Sequence, residues 1–124
     1  MIRFLPISSY EQTKLIYEAQ AVPFTAPAFA ILADDSGRAA GGCLFLLREA
    51  TAELLHFWTQ DEGDAYLLDG LFRAALNFAL NRGIKTAHVS KNALDILLPH
   101  VPAAGHLANG GFDIGEFFNK KCKN

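Results

Sequence analysis

The stretch that most constrains this chain is Leu67 to Gly83, LLDGLFRAALNFALNRG. Leu68, Leu71, Phe72, Ala75, Leu76, Ala79 and Leu80 recur at helical period and form one apolar stripe. Asp64 stands before the stripe and Gly83 after it, a start signal and a stop signal for a helix. Upstream, Thr51 to Gln60 (TAELLHFWTQ) is a short apolar run with aromatics, and Asp61 to Tyr66 (DEGDAY) is a polar turn. A strand that passes through a short turn into a helix N-terminus presents unpaired N–H groups and the positive end of a dipole, a common seat for phosphate groups.

The remaining pattern surrounds that unit. Ile2 to Ile7 reads as a short strand, and Ser9 with Gln12 has the spacing of a capping box. The helix that follows is expected to bury Leu15, Ile16 and Ala19, and the Pro-containing segment Ala21 to Pro27 to be a loop that exposes Phe24. Ala28 to Ala33 is a strand, Asp34 to Gly37 a hairpin turn, and Arg38 to Arg48 the returning strand. Gly41-Gly42 inside that strand suggests a bulge or a close backbone approach. Glu53 to Thr59 completes an antiparallel meander. After the long helix come a strand (Ile84 to Ser90), a short helix from Asn92 ended by Pro99, a loop to Gly111, and a final strand, Phe112 to Asn119. The order β-α-β-β-β-α-β-α-β predicts one α/β (α+β) domain over residues 1–124, a mixed and mostly antiparallel sheet with helices on both faces.

Composition narrows the function classes. With 51% hydrophobic residues and ten Phe, 124 residues can bury a core. A net charge of -2 without a basic face argues against a nucleic-acid binder, and Lys120, Lys121 and Lys123 read as a solvated tail. No run is long enough for a membrane span or a signal peptide, so a cytoplasmic setting is the expectation. Cys43, Cys122, His88 and His100 share no metal-ligand spacing, and no metal is expected.

The order of elements, the Gly41-Gly42 strand, the strand-turn-helix and Gly111-Phe112 resemble the GNAT N-acetyltransferase superfamily. Arg73 to Asn92 (RAALNFALNRGIKTAHVSKN) is similar to that family's long helix, its "RG-I" exit and its next strand. The resemblance runs from about Ala28 to the end and implies acetyl-CoA as cofactor, a primary amine or peptide N-terminus as acceptor, and transfer by direct attack. It implies cofactor contacts at Phe57, Trp58 and Thr59, whose strand end matches the one that pairs with pantetheine, and at Gly63, Leu68, Asp69 and Asn92. The family's signature is Q/R-x-x-G-x-G/A. Counted back from Arg82-Gly83, its glycine positions fall at about Tyr66 and Leu68 and its Gln/Arg position near Gly63, and none matches. Asp61, Glu62 and Asp64 add negative charge there, by on the order of 1 kcal/mol of repulsion per close exposed pair, although acidic residues at a helix start also serve as caps.

For proton transfer the candidates are Glu53 and His56 as base and His106 as acid, next to Leu107, the place of a Tyr in many relatives. Strand alternation puts Glu53, Leu55, Phe57 and Thr59 on one face and Leu54, His56 and Trp58 on the other, so only one of the two bases is expected to face the cofactor cleft. The second reading is a GNAT-fold domain without transferase activity. It would bind a ligand or a protein, as a homodimer paired through the C-terminal strand with Phe112, Phe117 and Phe118.

Overall fold

A computed structural model describes residues 1–25, 27–102, 104 and 111–122. Among these, six strands lie side by side in chain order: β1 (Ile2–Pro6), β2 (Ala28–Asp35), β3 (Arg38–Arg48), β4 (Thr51–Thr59), β5 (Thr86–Val89) and β6 (Phe112–Asp113). Every neighbouring pair is antiparallel except β4 and β5, which run parallel. The helices are α1 (Tyr10–Ala19), α2 (Ala65–Leu80), α3 (Lys91–Leu97) and α4 (Ile114–Cys122). The mixed, mostly antiparallel sheet with helices on both faces is the one the sequence predicts.

Three local expectations are corrected. Phe112 to Asn119 is not a strand, since only Phe112–Asp113 pairs, with β5. The chain then turns into α4, where the Asp113 carboxylate accepts from the Glu116 amide at 2.8 Å, and Ile114 and Phe117, three apart, are buried. Apolar positions 112, 114, 117 and 118 fit either period, and the cap selects the helix. Beyond Asp113 the segment therefore packs into the core as a helix. On α1 the buried residues are Thr13 and Tyr17, while Leu15 is 64% exposed. Tyr17 is chosen for its hydroxyl, which donates to the carbonyls of Phe29 and Phe45 at 2.9 and 3.0 Å. Phe24 is half-buried rather than exposed, packed edge-on between Tyr10 and Tyr17.

The sheet separates two cores of unequal size. On one face α2, α3 and α4 bury Leu68, Leu71, Phe72, Leu76, Leu97 and Ile114 against Ile31, Phe45, Leu54 and Phe57. On the other face α1 and the 20–25 loop cover Ala30 and Leu44 with Tyr17, Val22 and Phe24. Close packing explains two glycines of β3. A Cβ on Gly41 would stand 2.5 Å from the Trp58 carbonyl, and one on Gly42 would stand 2.5 Å from the Trp58 ring. No helix among the described residues is long and apolar enough to cross a membrane.

Candidate active site

The site starts from an irregularity in β4. Opposite β3, Leu44 pairs with His56 but Phe45 pairs with Leu54, so Leu55 is an extra residue on β4. Such a bulge shifts the two-residue alternation by one. Ala52, Leu54 and Phe57 consequently face the large core, while Leu55 and Trp58 join the small one. This overturns the expectation that Glu53 and His56 look to opposite sides: both line one cavity, on the α1 face.

The bulge also ends the β4–β5 ladder. The last pair is Leu54 with Val89, followed by the Ser90 amide on the Leu54 carbonyl at 2.9 Å. Ser90 then caps α3, its hydroxyl accepting from the Ala93 amide. The same hydroxyl donates to the Leu55 carbonyl at 3.1 Å, and Asn92 Nδ2 donates to that carbonyl at 3.1 Å. Beyond this clamp β4 continues to Thr59 with no strand neighbour on the β5 side among the described residues. The Gln60 amide bonds the Ala40 carbonyl on β3, so the ladder's alternation turns the main-chain groups of Phe57 and Thr59 towards the open gap.

A cavity lies on each side of this gap. The one on the α1 face measures about 540 Å³ and is lined by Gln20, Val22, Arg48, Glu53, His56 and Asn92, among others. His56 is fixed within it. Its Nε2 donates to Gln20 Oε1 at 3.0 Å and its Nδ1 accepts from Asn92 Nδ2 at 3.1 Å, which makes it a neutral imidazole with both nitrogens engaged. Burial lowers its pKa, and its ring stacks near Trp58. The carboxylate of Glu53 is half-buried and has no hydrogen-bond or ion-pair partner among the described residues. Asn92, placed by resemblance among the cofactor contacts, lines this cavity and donates to His56 and to the Leu55 carbonyl at the bulge.

The cleft on the opposite face measures about 390 Å³ and is lined by Phe57, Trp58, Thr59, Gly63, Leu68 and His100, with Glu62, Asp95, Ile96 and Pro99. Five of the expected cofactor contacts meet here. The sixth and seventh do not: Asn92 lies across the gap, and Asp69 lines neither cavity, its carboxylate held by Arg73 at 2.8 Å on the surface of α2. Leu68 is buried and forms part of the wall, while Tyr66 is 73% exposed and points away from crowding.

The turn into α2 carries what the sequence count missed. The helix begins at Ala65, and Asp64 is its cap, the carboxylate accepting from the Leu67 amide at 3.1 Å. With the start fixed there, Gln60-Asp61-Glu62-Gly63-Asp64-Ala65 reads Q-x-x-G-x-A. The count back from Arg82-Gly83 placed it three residues too late. Gly63 takes φ +75°, and a Cβ there would stand 3.0 Å from the His100 ring. The amides of Gly63, Ala65 and Tyr66 have no protein acceptor among the described residues. The local tripeptide Gly63-Asp64-Ala65 is the signal available in the sequence. His106 and Leu107, the expected proton-donor region, lie outside the described residues.

No protein-family model matches the sequence. No curated protein matches it either. Solved structures do. The chain is similar to a ribosomal-protein-alanine N-acetyltransferase from Brucella melitensis biovar Abortus, with TM-score 0.60 and 15% identity over 89% of this chain and 93% of that one. It is similar to an IAA acetyltransferase from Bacillus cereus, with TM-score 0.54 and 18% identity over 72% of this chain and 65% of that one. It is also similar to a Klebsiella pneumoniae protein assigned as an acyl-CoA N-acyltransferase, with TM-score 0.53 and 20% identity over 70% and 69%. At these identities the likeness speaks for architecture, and with the strand order, the bulged β4 and the gap beside it, the chain has the GNAT fold.

Proposed function

We propose that the protein is an acyl-CoA-dependent N-acyltransferase that moves an acetyl group from acetyl-CoA to a primary amine. The observation that carries this reading is the turn Gln60 to Ala65, with free amides and a left-handed glycine at the mouth of α2, beside an unpaired stretch of β4. These features fit an acyl-CoA. The amides of Gly63, Ala65 and Tyr66 suit a pyrophosphate, where Asp61 and Glu62 oppose it by their charge. Phe57 and Thr59 offer main-chain groups to the amides of a pantetheine arm, and the cleft walls of Leu68 and Ile96 shield it from water.

When bound, the donor supplies a thioester. The chain supplies the proton acceptor. Glu53 is the base, because its carboxylate is unpaired, whereas both nitrogens of His56 are engaged. The ammonium gives one proton to Glu53. The nitrogen then bonds the acyl carbon as the C–S bond breaks, and the second proton goes to the departing thiolate. His56, held by Gln20 and Asn92, shapes the acceptor cavity and stays neutral near pH 7.

Calorimetric titration with acetyl-CoA and with CoA tests the reading. A micromolar Kd, roughly 8 kcal/mol of binding, is expected. Glu53→Gln should then keep the Kd and lower kcat by about 10²–10⁴-fold. No heat and no thermal shift at millimolar ligand would overturn the proposal in favour of a ligand-binding domain without transfer chemistry.

A further inference from the structure

The acceptor cavity holds two opposite charges, Arg48 and Glu53, that make no ion pair among the described residues. Leu46 on β3 is the direct partner of Glu53 on β4, and Arg48 is the partner of Thr51. Leu46, Arg48 and Glu53 line the same cavity, so Arg48 and Glu53 are diagonal neighbours on one face of the sheet. Diagonal neighbours stand roughly 7–8 Å apart in an antiparallel pair, within reach of a direct ion pair for two such side chains. None forms among the described residues. Val22, Pro23, Leu46 and Leu55 give the same cavity an apolar part of its lining, beside the polar Gln20, Thr25, Ser90 and Asn92. The cavity volume of about 540 Å³ falls within the ~300–1,000 Å³ typical of small-molecule sites.

Resting on the acyltransferase reading, we infer that the acceptor is a free amino acid: its ammonium meets Glu53, its carboxylate meets Arg48, and its side chain lies against Val22, Pro23 and Leu55. The chemistry selects this class over two neighbours. A plain amine leaves the guanidinium of Arg48 without a partner, and a guanidinium suits a carboxylate because its donors form a planar fork. A peptide N-terminus has a neutral amide where the amino acid has its carboxylate, so it gains only the weaker, neutral-acceptor hydrogen bond from Arg48. Amine and carboxylate are thereby read together, and the nitrogen is held on the face where Glu53 takes its proton.

The test uses the full chain, with two readouts. The first is calorimetric titration of the protein, without acyl-CoA, with a panel of the common L-amino acids and, for leucine and phenylalanine, their decarboxylated amines and their Gly dipeptides. The second is acetyl transfer from acetyl-CoA to the same panel. At least one amino acid should bind, and be acetylated, at least about tenfold better than its amine or dipeptide, the worth of a charge-assisted hydrogen bond. Arg48→Gln should abolish that preference. Arg48 is exposed at the end of β3, and a melting curve checks that the variant is folded. Arg48→Glu should turn preference towards diamines. Equal use of amines and amino acids, or a preference that survives Arg48→Gln, would overturn the inference while leaving the acyltransferase reading intact. Amino-acid binding that depends on Arg48 without acetyl-CoA binding would leave the site and overturn the transferase.

Discussion

At Gly63 the backbone holds φ +75°, and a Cβ would crowd the His100 ring at 3.0 Å. Gly63→Ala is expected to cost about 1–2 kcal/mol, the strain of a left-handed L-residue, read from urea denaturation. It should also weaken acetyl-CoA by about tenfold, because the displaced turn misaims an amide. His56 gives a prediction in pH. Burial lowers its folded pKa below the usual value of about 6.5. The unfolded chain then binds more protons between the two values, so this contribution to stability is complete above about pH 6.5 and is lost as pH falls towards the lower, folded pKa. Melting temperatures from pH 8 to 5 should fall on the acid side, and His56→Gln should flatten that fall. Cys43, fully buried with its thiol pushed far up, should resist thiol reagents until the protein unfolds.

At the scale of elements, the long helix, the hairpin and the meander were legible because each carries its own local signal. The apolar stripe of α2 has its cap at Asp64, and Ser36-Gly37 takes positive φ at the hairpin. What escaped reading depends on non-local facts. The signature at Gln60, Gly63 and Ala65 was obscured because the helix was measured from its end, and a shift of three residues hides a spaced motif. The bulge at Leu55 has no residue signature, since it is set by what β3 and α3 place opposite. The final helix lost to a strand because Phe112 and Ile114 alternate before Phe117 and Phe118 settle the helical period. Gly41 belongs at this scale too. Gly41→Ala would push the new methyl against the Trp58 carbonyl, main chain that can move only if the β3–β4 ladder opens. It should cost about 1–3 kcal/mol by overpacking and accelerate amide exchange along β4.

For the molecule as a whole, the two faces of the sheet are unequal. The large core fixes the cleft beside α2, while the acceptor cavity borrows a wall from the thin layer of α1 and the 20–25 loop. One hydroxyl stitches that layer to two strands. Tyr17→Phe is expected to cost about 1–2 kcal/mol in global stability and to raise amide exchange in residues 10–25 well before α2. Acceptor use should suffer more than acetyl-CoA affinity in that variant, because only one compartment leans on the layer. The extra residue at Leu55 has a consequence for the parity of β4. Even and odd positions trade roles at that point, so a single strand serves both compartments, the acceptor side before it and the open edge after it. Removing Leu55 would restore a single parity from Thr51 to Thr59, with Glu53 and the imidazole of residue 56 on the cavity face by plain alternation, and let β5 zip along an edge that the extra residue now keeps apart.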